Sequence, residues 1–254
     1  MNEAIWAYIL LYLLVFLFGT IIGSFLNVVA WRLPRGESFV RGRSHCPACG
    51  HQLAARDLIP LVSWAWLRGR CRYCGAPISR RYSLTEAFTG ALALSCAAVF
   101  GVSGAALAVF AWLCLLLCLA LIDQETMTMP DGLQLALLLP ALALVFLQPE
   151  ILWWERLLGA ACSLPLLALA LLTGGLGGGD IKLTAVCGLA LGWQLTAVGL
   201  FCGIICGGLQ AVYLIRQKKA GRKTAFPFGP ALCLGFALSM LWGKPLLAWY
   251  LGLF

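Results

Sequence analysis

Long apolar runs separated by short polar connections constrain this chain more than any other feature of the sequence. A run of about 20 apolar residues is long enough to cross a hydrocarbon core, and the sequence offers about eight candidates. Hydrophobic residues make up 62% of the 254 positions and charged residues only 11%. Soluble domains carry about 25% charged residues, so this composition indicates a protein built for the lipid bilayer. We predict an all-α polytopic membrane protein.

The apolar runs set the boundaries of the predicted spans. The first covers residues 4–29, and it lacks the basic start and the short apolar core of a signal peptide. Further spans are predicted at residues 83–100, 105–122, 132–147, 151–173 and 195–215, and from residue 226 onward. The run between Lys182 and Leu191 is only about half the length needed. This gives about eight transmembrane helices, one of them short or broken after Lys182, and Lys244-Pro245 is expected to interrupt the last.

The basic residues are concentrated in two segments of the chain. Ten of the 18 Lys and Arg residues lie between Arg32 and Arg81, and five more lie between Arg216 and Lys223. Basic loops of this kind stay in the cytoplasm. The formal charge of +8 is therefore a topology signal first and an attraction to anionic lipid second. We expect no nucleic-acid partner.

The sizeable polar segment near the N-terminus carries two C-x-x-C pairs, Cys46/Cys49 and Cys71/Cys74, with residues 50–70 between them. This spacing is typical of two zinc knuckles that close one tetrahedral four-cysteine site. A segment this short cannot bury enough apolar area to fold alone, and metal binding supplies the missing stabilisation. The pattern predicts a structural zinc ion.

Other uses of these cysteines remain open at this stage. Thiol redox chemistry or incidental cysteines are alternatives, whereas a disulfide is disfavoured in a reducing compartment. His45 and His51 flank the first pair and could replace a ligand, although four cysteines already complete the shell. The other cysteines lie in apolar runs, where we expect small buried hydrophobic side chains.

Two aspartates stand at the ends of apolar runs. Asp180 follows a glycine-rich stretch that begins at Gly174, and Asp123 ends the run that begins near residue 105. Counting membrane crossings places both on the same face. A carboxylate beside a bilayer is costly unless it is paired, hydrated or functional. The short helix after Lys182 further suggests that the Asp180 loop dips into the membrane, where irregular backbone must be buried in protein or line a wet cavity.

Two neighbouring carboxylates share one proton, because both cannot ionise cheaply. One can then take a proton from water while the other donates to a substrate carbonyl, as in aspartic proteases. Gly177 and Gly179 would let an extended substrate approach the backbone. Lys182 could bias the charge of the pair or simply extend to the interface.

Simpler interpretations compete with this one. Each aspartate could cap a helix or face water in a loop, and Glu86 could be an acid favoured by a helix N-terminus. A transporter or proton-coupled channel would also use intramembrane carboxylates and broken helices. That alternative leaves the cysteine segment unexplained, and the sequence shows no inverted repeat.

Taken together, the motifs resemble those of the bacterial type IV prepilin peptidases, over nearly the whole length of the chain. The matching motifs are Gly23-Ser24-Phe25-Leu26-Asn27-Val28-Val29, Arg32-Leu33-Pro34, the two cysteine pairs with Ile59-Pro60 and Ser63-Trp64 between them, Ile78-Ser79-Arg80-Arg81-Tyr82 with Glu86, Asp123 with Pro130-Asp131, Gly177-Gly178-Gly179-Asp180-Ile181-Lys182-Leu183, and Pro227-Phe228-Gly229-Pro230.

The resemblance implies an aspartic endopeptidase of the bacterial inner membrane, with Asp123 and Asp180 as its catalytic residues. Its substrates would be type IV pilin or pseudopilin precursors, cut at the cytoplasmic face after a glycine and before the pilin's hydrophobic helix. Many members also methylate the new N-terminus with S-adenosyl-L-methionine. The implied domains are a first transmembrane helix (1–31), a cytoplasmic tetracysteine zinc-binding domain (32–82) and a transmembrane peptidase domain (83–254). The cysteine segment and the aspartates would face the cytoplasm.

Overall fold

A computed structural model describes residues 2–217 and 226–253 of the chain. Within these ranges the regular structure is helical, with two isolated β-bridges and no strand. The chain forms two compact units, Met1–Val102 and Ser103–Phe254. The predicted all-α membrane fold is confirmed.

The first unit contains two long helices and the cysteine-bearing segment. The helices are α1 (Asn2–Arg32), α2 (Val62–Trp66) and α3 (Arg80–Phe100), with 3₁₀ turns at Leu33–Arg35 and Ala55–Asp57. α1 packs along α3. A Cβ atom on Gly23 would lie 2.9 Å from the Cα of Glu86, so a glycine is needed where the helices cross. Small residues of this kind allow close helix packing in membranes.

Arg32 organises the chain where α1 ends. Its guanidinium group is buried and donates hydrogen bonds to the carbonyl oxygens of Ser38, Arg41, Gly42 and Arg43, at 3.1–3.4 Å. An arginine can satisfy several carbonyls because its five N–H donors form a rigid fork. These bonds fold the start of the cysteine-bearing segment back against the end of α1.

The second unit contains seven helices in the described residues. They are α4 (Gly104–Thr126), α5 (Asp131–Leu147), α6 (Trp153–Ala161), α7 (Leu164–Thr173), α8 (Gly178–Leu191), α9 (Trp193–Arg216) and α10 (Gly229–Leu251). α10 packs against both α9 and α4, while α8 packs against α5 and α6. The core of this unit includes Trp112, Leu137 and Phe236.

Six helical segments in the described part of the chain are long and apolar enough to cross a membrane. They are α1, α3, α4, the α6–α7 pair, α9 and α10. α5 is shorter at 17 residues, and α8 has 14. A polytopic membrane protein is confirmed, whereas the count of eight spans stays a prediction.

Several helix boundaries differ from those predicted. α3 begins at Arg80, where the Ser79 hydroxyl accepts a hydrogen bond from the Arg81 N–H and caps the helix. α10 continues through Pro245 to Leu251, so the expected interruption there was wrong. A proline removes one helical hydrogen bond, but the residues on both sides of Pro245 remain helical. The predicted span at 151–173 is divided into α6 and α7.

Arg156 joins the C-terminal ends of α5 and α8. Its side chain is 3% exposed and donates to the carbonyl oxygens of Leu144 and Gln148 in one direction and of Leu189 and Ala190 in the other, at 2.9–3.2 Å. A cation is favourable beside the negative end of a helix dipole. One buried arginine therefore caps two helices at once.

The structure does not test two of the sequence predictions. The predicted basic loop between Arg216 and Lys223 falls mostly on residues 218–225, which lie outside the described residues. The predicted division at residues 31 and 82 also stays a prediction. Of the cysteines in apolar runs, five are buried, while Cys162, Cys202 and Cys206 are partly exposed.

Candidate functional site

The two cysteine pairs lie in hairpin turns of matching geometry. The Cys46 N–H donates to the His51 carbonyl and Gly50 donates back to Cys46, while Cys71 and Gly75 make the equivalent bonds around Ala76. Gly50 and Gly75 both have left-handed backbones, with φ of 69° and 71°. Glycine adopts this conformation without the strain imposed by a Cβ atom. The repeated Cys-x-x-Cys-Gly sequence therefore builds the same turn twice.

The four cysteine sulfurs lie within 4.8 Å of one another, close enough for each to contact one metal ion. Cys46 Sγ and Cys74 Sγ are 3.9 Å apart. The backbone N–H groups of Cys49 and Ala48 approach the Cys46 sulfur and lower the pKa of its thiol to about 7. Ionisation matters here because the thiolate is the form that binds metals.

Neither histidine belongs to this sulfur cluster in the described residues. The ring of His51 instead stacks on Tyr73, with centroids 3.6 Å apart. The Tyr73 hydroxyl and Arg72 Nε donate to the carboxylate of Asp57, at 2.9 and 2.7 Å. Although burial opposes ionisation, these hydrogen bonds hold the pKa of the Asp57 carboxyl below its usual value. Asp57 thus ties the second cysteine turn to the segment between the pairs.

Glu86 lies on the second turn of α3 and is buried. Because α3 begins at Arg80, Glu86 is outside the first turn, where a helix dipole favours acids. Its Oε2 instead accepts a hydrogen bond from the Leu61 N–H at 2.8 Å. Leu61 has φ of 61°, which is unusual for a residue with a branched side chain. The carboxylate of Glu86 therefore anchors a strained turn of the cysteine-bearing segment.

Asp123 lies in the last turn of α4 and is 6% exposed. Its Oδ2 accepts a hydrogen bond from the Gly229 N–H at 3.1 Å, at the start of α10. A Cβ atom on Gly229 would lie 2.6 Å from that oxygen and would overlap the methyl group of Met129. A side chain at this position would therefore force the Asp123 carboxylate or the Met129 methyl group to move.

Asp180 lies in the first turn of α8 and is 9% exposed. It belongs to a helix rather than to the irregular loop that we expected. Gly177 is the N-cap residue of α8, and the Thr184 hydroxyl donates to the Asp180 carbonyl at 2.8 Å. Met129 lies against Gly179, the residue before Asp180, and its methyl group lies beside Gly229, whose N–H binds Asp123. The structure thus brings the two predicted aspartates together.

Two side chains of the second unit connect the elements around the aspartates. Met129 packs its Cβ, Cγ and Sδ against Gly179, at 3.0–3.4 Å from where a Cβ of that glycine would be. Gln134 is buried on α5 and donates from Nε2 to the Gly179 carbonyl at 3.2 Å. Its Oε1 is buried and has no hydrogen-bond partner among the residues that the structure describes. The ends of α4, α5, α8 and α10 therefore meet around the two carboxyl groups.

In the part of the chain that the structure describes, Lys182 forms no hydrogen bond or ion pair with Asp123 or Asp180. It forms an exposed ion pair with Asp131, with Nζ 2.8 Å from Oδ1. Exposed pairs of this kind contribute little stability. Lys182 and Asp131 nevertheless join the starts of α8 and α5 on the same side as Gln134.

The sequence interpretation assigned no role to three residues of this site. Gly229 was visible within the Pro-Phe-Gly-Pro motif, and a helix-starting glycine beside a proline was its only signal. Met129 precedes the Pro130-Asp131 helix start, and Gln134 is a polar residue within an apolar run. No spacing rule indicates which side chain either residue contacts.

Comparison with known families covers both units. Residues 17–100 match the bacterial peptidase A24 N-terminal domain, and residues 108–212 match the type IV leader peptidase family. The matched ranges include the four cysteines, Glu86 and both aspartates.

Individual relatives are similar over almost the full chain. A prepilin leader peptidase/N-methyltransferase of Aeromonas hydrophila is 36% identical, covering 94% of this chain and 93% of its own length. The protein of the same name from Bacillus subtilis (strain 168) is 34% identical, covering 94% and 97%. One from Pseudomonas putida is 34% identical, covering 91% and 90%. No solved structure matches the chain.

Proposed function

The chain belongs to the type IV leader peptidase family, and from this membership we propose that it is an intramembrane aspartic endopeptidase that removes the leader peptide of type IV pilin-like precursors. The observation that carries the proposal is the pair of buried carboxyl groups, Asp123 and Asp180, which the contacts of Met129 with Gly179 and Gly229 bring to one place. Membership of a peptidase family leaves the transporter alternative without support.

The two carboxyl groups act as one acid–base unit. The pair holds one proton, so one carboxylate accepts a proton from water as that water attacks the scissile carbonyl. The other carboxyl group donates its proton to the carbonyl oxygen. The tetrahedral intermediate then breaks its C–N bond, and a proton from the pair passes to the leaving amine. The Gly229 N–H occupies one side of Oδ2 and fixes the orientation of the Asp123 carboxylate.

The substrate approaches over glycine backbone. A Cβ on Gly178 would meet no heavy atom of residues 2–217 and 226–253 within 4 Å, so within these residues the start of α8 next to Asp180 presents open backbone. Glycine permits such close approach because it has no side chain. By its family resemblance, the enzyme cuts after a glycine of the precursor and before its hydrophobic helix. Gly177 and Gly179 flank this surface as supporting residues, with Gly179 packed under Met129.

We further propose that the four cysteines hold a structural zinc ion. Zinc–thiolate bonds of about 2.3 Å in a tetrahedron place the sulfurs about 3.8 Å apart. The Cys46–Cys74 separation of 3.9 Å supports this fit. The ion would connect the two cysteine turns, and the hydrogen bond between Glu86 and Leu61 would join the segment to α3.

The names of the relatives also support N-methylation of the new N-terminus, with S-adenosyl-L-methionine as the methyl donor. The cofactor supplies an activated methyl group when it is bound. The described residues contain no strand–helix unit with a glycine-rich nucleotide loop. They therefore do not match that type of cofactor site, and we assign no residue and no reaction step to it.

The site lies at the cytoplasmic face of the bacterial inner membrane in this proposal. The support is the concentration of basic residues between Arg32 and Arg81, which is typical of cytoplasmic segments. Its partners are type IV pilin or pseudopilin precursors and the lipid bilayer.

Mass spectrometry of a pilin-like precursor tests the function directly. The precursor is produced in a host that lacks its own leader peptidase, with and without this chain. We expect the chain to remove the leader and to add the mass of one methyl group to the mature N-terminus. An intact precursor in the presence of correctly inserted chain would refute the peptidase, and leader loss without added mass would refute only the methylation.

A further inference from the structure

The side chain of Met129 lies between Gly179, which precedes Asp180, and Gly229, whose N–H binds Asp123. It is half-buried in the short connection between α4 and α5, six residues after Asp123. The connection is held at both ends: Met127 adopts a left-handed conformation with φ of 52°, and its N–H donates to the Asp123 carbonyl at 2.8 Å. Pro130 is the N-cap residue of α5, which begins at Asp131.

The side chain of Met129 occupies the space that Cβ atoms on Gly179 and Gly229 would need. Its Cβ, Cγ and Sδ lie against Gly179, the residue before Asp180. Its methyl group lies where a Cβ of Gly229 would be, beside Oδ2 of Asp123. The thioether therefore extends from Gly179, next to Asp180, to Gly229, whose N–H binds Asp123.

This placement limits what fits near the reacting carbonyl. Both carboxyl groups must come within hydrogen-bond reach, about 3 Å, of the attacking water or the carbonyl oxygen. The Cα of the substrate residue is only about 1.5 Å from its carbonyl carbon. A side chain on that residue therefore begins close to the two carboxyl groups, and the Met129 thioether lies between Gly179 and Gly229 beside them.

We propose that Met129 determines the size of the substrate residue whose carbonyl is attacked, so that glycine fits and larger side chains collide with the thioether. This inference rests on the proposed peptidase function. Methionine is unbranched and flexible, so the limit is graded rather than absolute. One methylene or methyl group in such a site changes specificity by about 10–200-fold.

The test compares Met129→Ala with the wild-type chain and with Met129→Leu, which keeps most of the volume. Each enzyme is assayed in detergent with precursors that carry Gly, Ala or Val before the cleaved bond. We expect Met129→Ala to raise the ratio of kcat/KM for the Ala precursor to kcat/KM for the Gly precursor by at least about 10-fold. In Met129→Leu this ratio should stay close to that of the wild-type chain.

An unchanged ratio in Met129→Ala would overturn the proposal. An equal loss of cleavage for all three precursors by folded Met129→Ala would also overturn it, because the side chain would then support the whole site rather than limit the size of one substrate residue. If Met129→Ala fails to fold, Met129→Val and Met129→Thr carry the same comparison with the same expected direction. Failure of the wild-type chain to cleave the glycine precursor would instead refute the peptidase itself.

Discussion

The backbone N–H of Gly229 donates a hydrogen bond to Oδ2 of Asp123, across 106 positions of sequence and from the first residue of α10 to the last turn of α4. The bond fixes one oxygen of a buried carboxylate and leaves the other for a water molecule or a substrate. Because the methyl group of Met129 and the carboxylate fill the surrounding space, a Cβ atom on Gly229 would displace one of them.

Replacing Gly229 with alanine should therefore disable the site without unfolding the protein. The new Cβ would displace the Asp123 carboxylate or the Met129 methyl group, both of which are side-chain ends that can move. A catalytic group shifted by about 1 Å can lose about 100-fold in rate. We expect a loss of that order in kcat for precursor cleavage, with a normal thermal midpoint in detergent.

Gly208→Ala is the matched control, because a Cβ at that position on α9 meets no heavy atom of the described part of the chain within 4 Å. Its cleavage rate should stay within about twofold of wild type. Equal rates for Gly229→Ala and Gly208→Ala would show that the position of Gly229 is not critical for the carboxylate.

Helices and the cysteine cluster could be predicted because their signals are local. Apolar runs of spanning length indicated the long helices, and the repeated C-x-x-C spacing indicated the four-sulfur cluster. Counting crossings brought Asp123 and Asp180 to one face, and in the structure Met129 contacts both Gly179, next to Asp180, and Gly229, whose N–H binds Asp123.

Partners distant in sequence could not be predicted in this way. Nothing near Lys182 indicates that it pairs with Asp131 rather than with a catalytic aspartate, and nothing near Glu86 indicates Leu61. Asp180 was expected in a loop because glycines disfavour helices. Gly178 and Gly179 are nevertheless helical, since packing in the unit outweighs propensities of about 1 kcal/mol.

Arg156→Met should destabilise the second unit. The substitution removes four charged hydrogen bonds and leaves the carbonyl oxygens of Leu144, Gln148, Leu189 and Ala190 without them. We expect a loss of about 3 kcal/mol, which corresponds to a fall of roughly 6–12 °C in the thermal midpoint.

The control for this variant is Lys244→Met, which breaks an exposed ion pair with Glu150. Exposed pairs contribute little, so its midpoint should shift by no more than about 2 °C. A shift of the same size in both variants would mean that Arg156 does not brace α5 and α8.

Cys46→Ser should abolish zinc binding. The purified wild-type chain is expected to contain about one zinc ion, because four thiolates form a complete tetrahedral shell, and the variant should contain almost none. Cys202→Ser serves as the control, since Cys202 lies on α9 and outside the sulfur cluster. Elemental analysis of the purified proteins makes the measurement, and full zinc occupancy in Cys46→Ser would contradict a four-cysteine site.

The central claim is that Asp123 and Asp180 together perform the cleavage. The most direct measurement is the single-turnover rate of precursor cleavage by Asp123→Asn and by Asp180→Asn, each purified in detergent, with Glu150→Gln as an acid-removing control at an exposed position outside the site. We predict that either asparagine variant loses at least about 1,000-fold in rate while its thermal midpoint stays near that of wild type, and that Glu150→Gln cleaves normally. Cleavage at the wild-type rate by either asparagine variant would contradict the account.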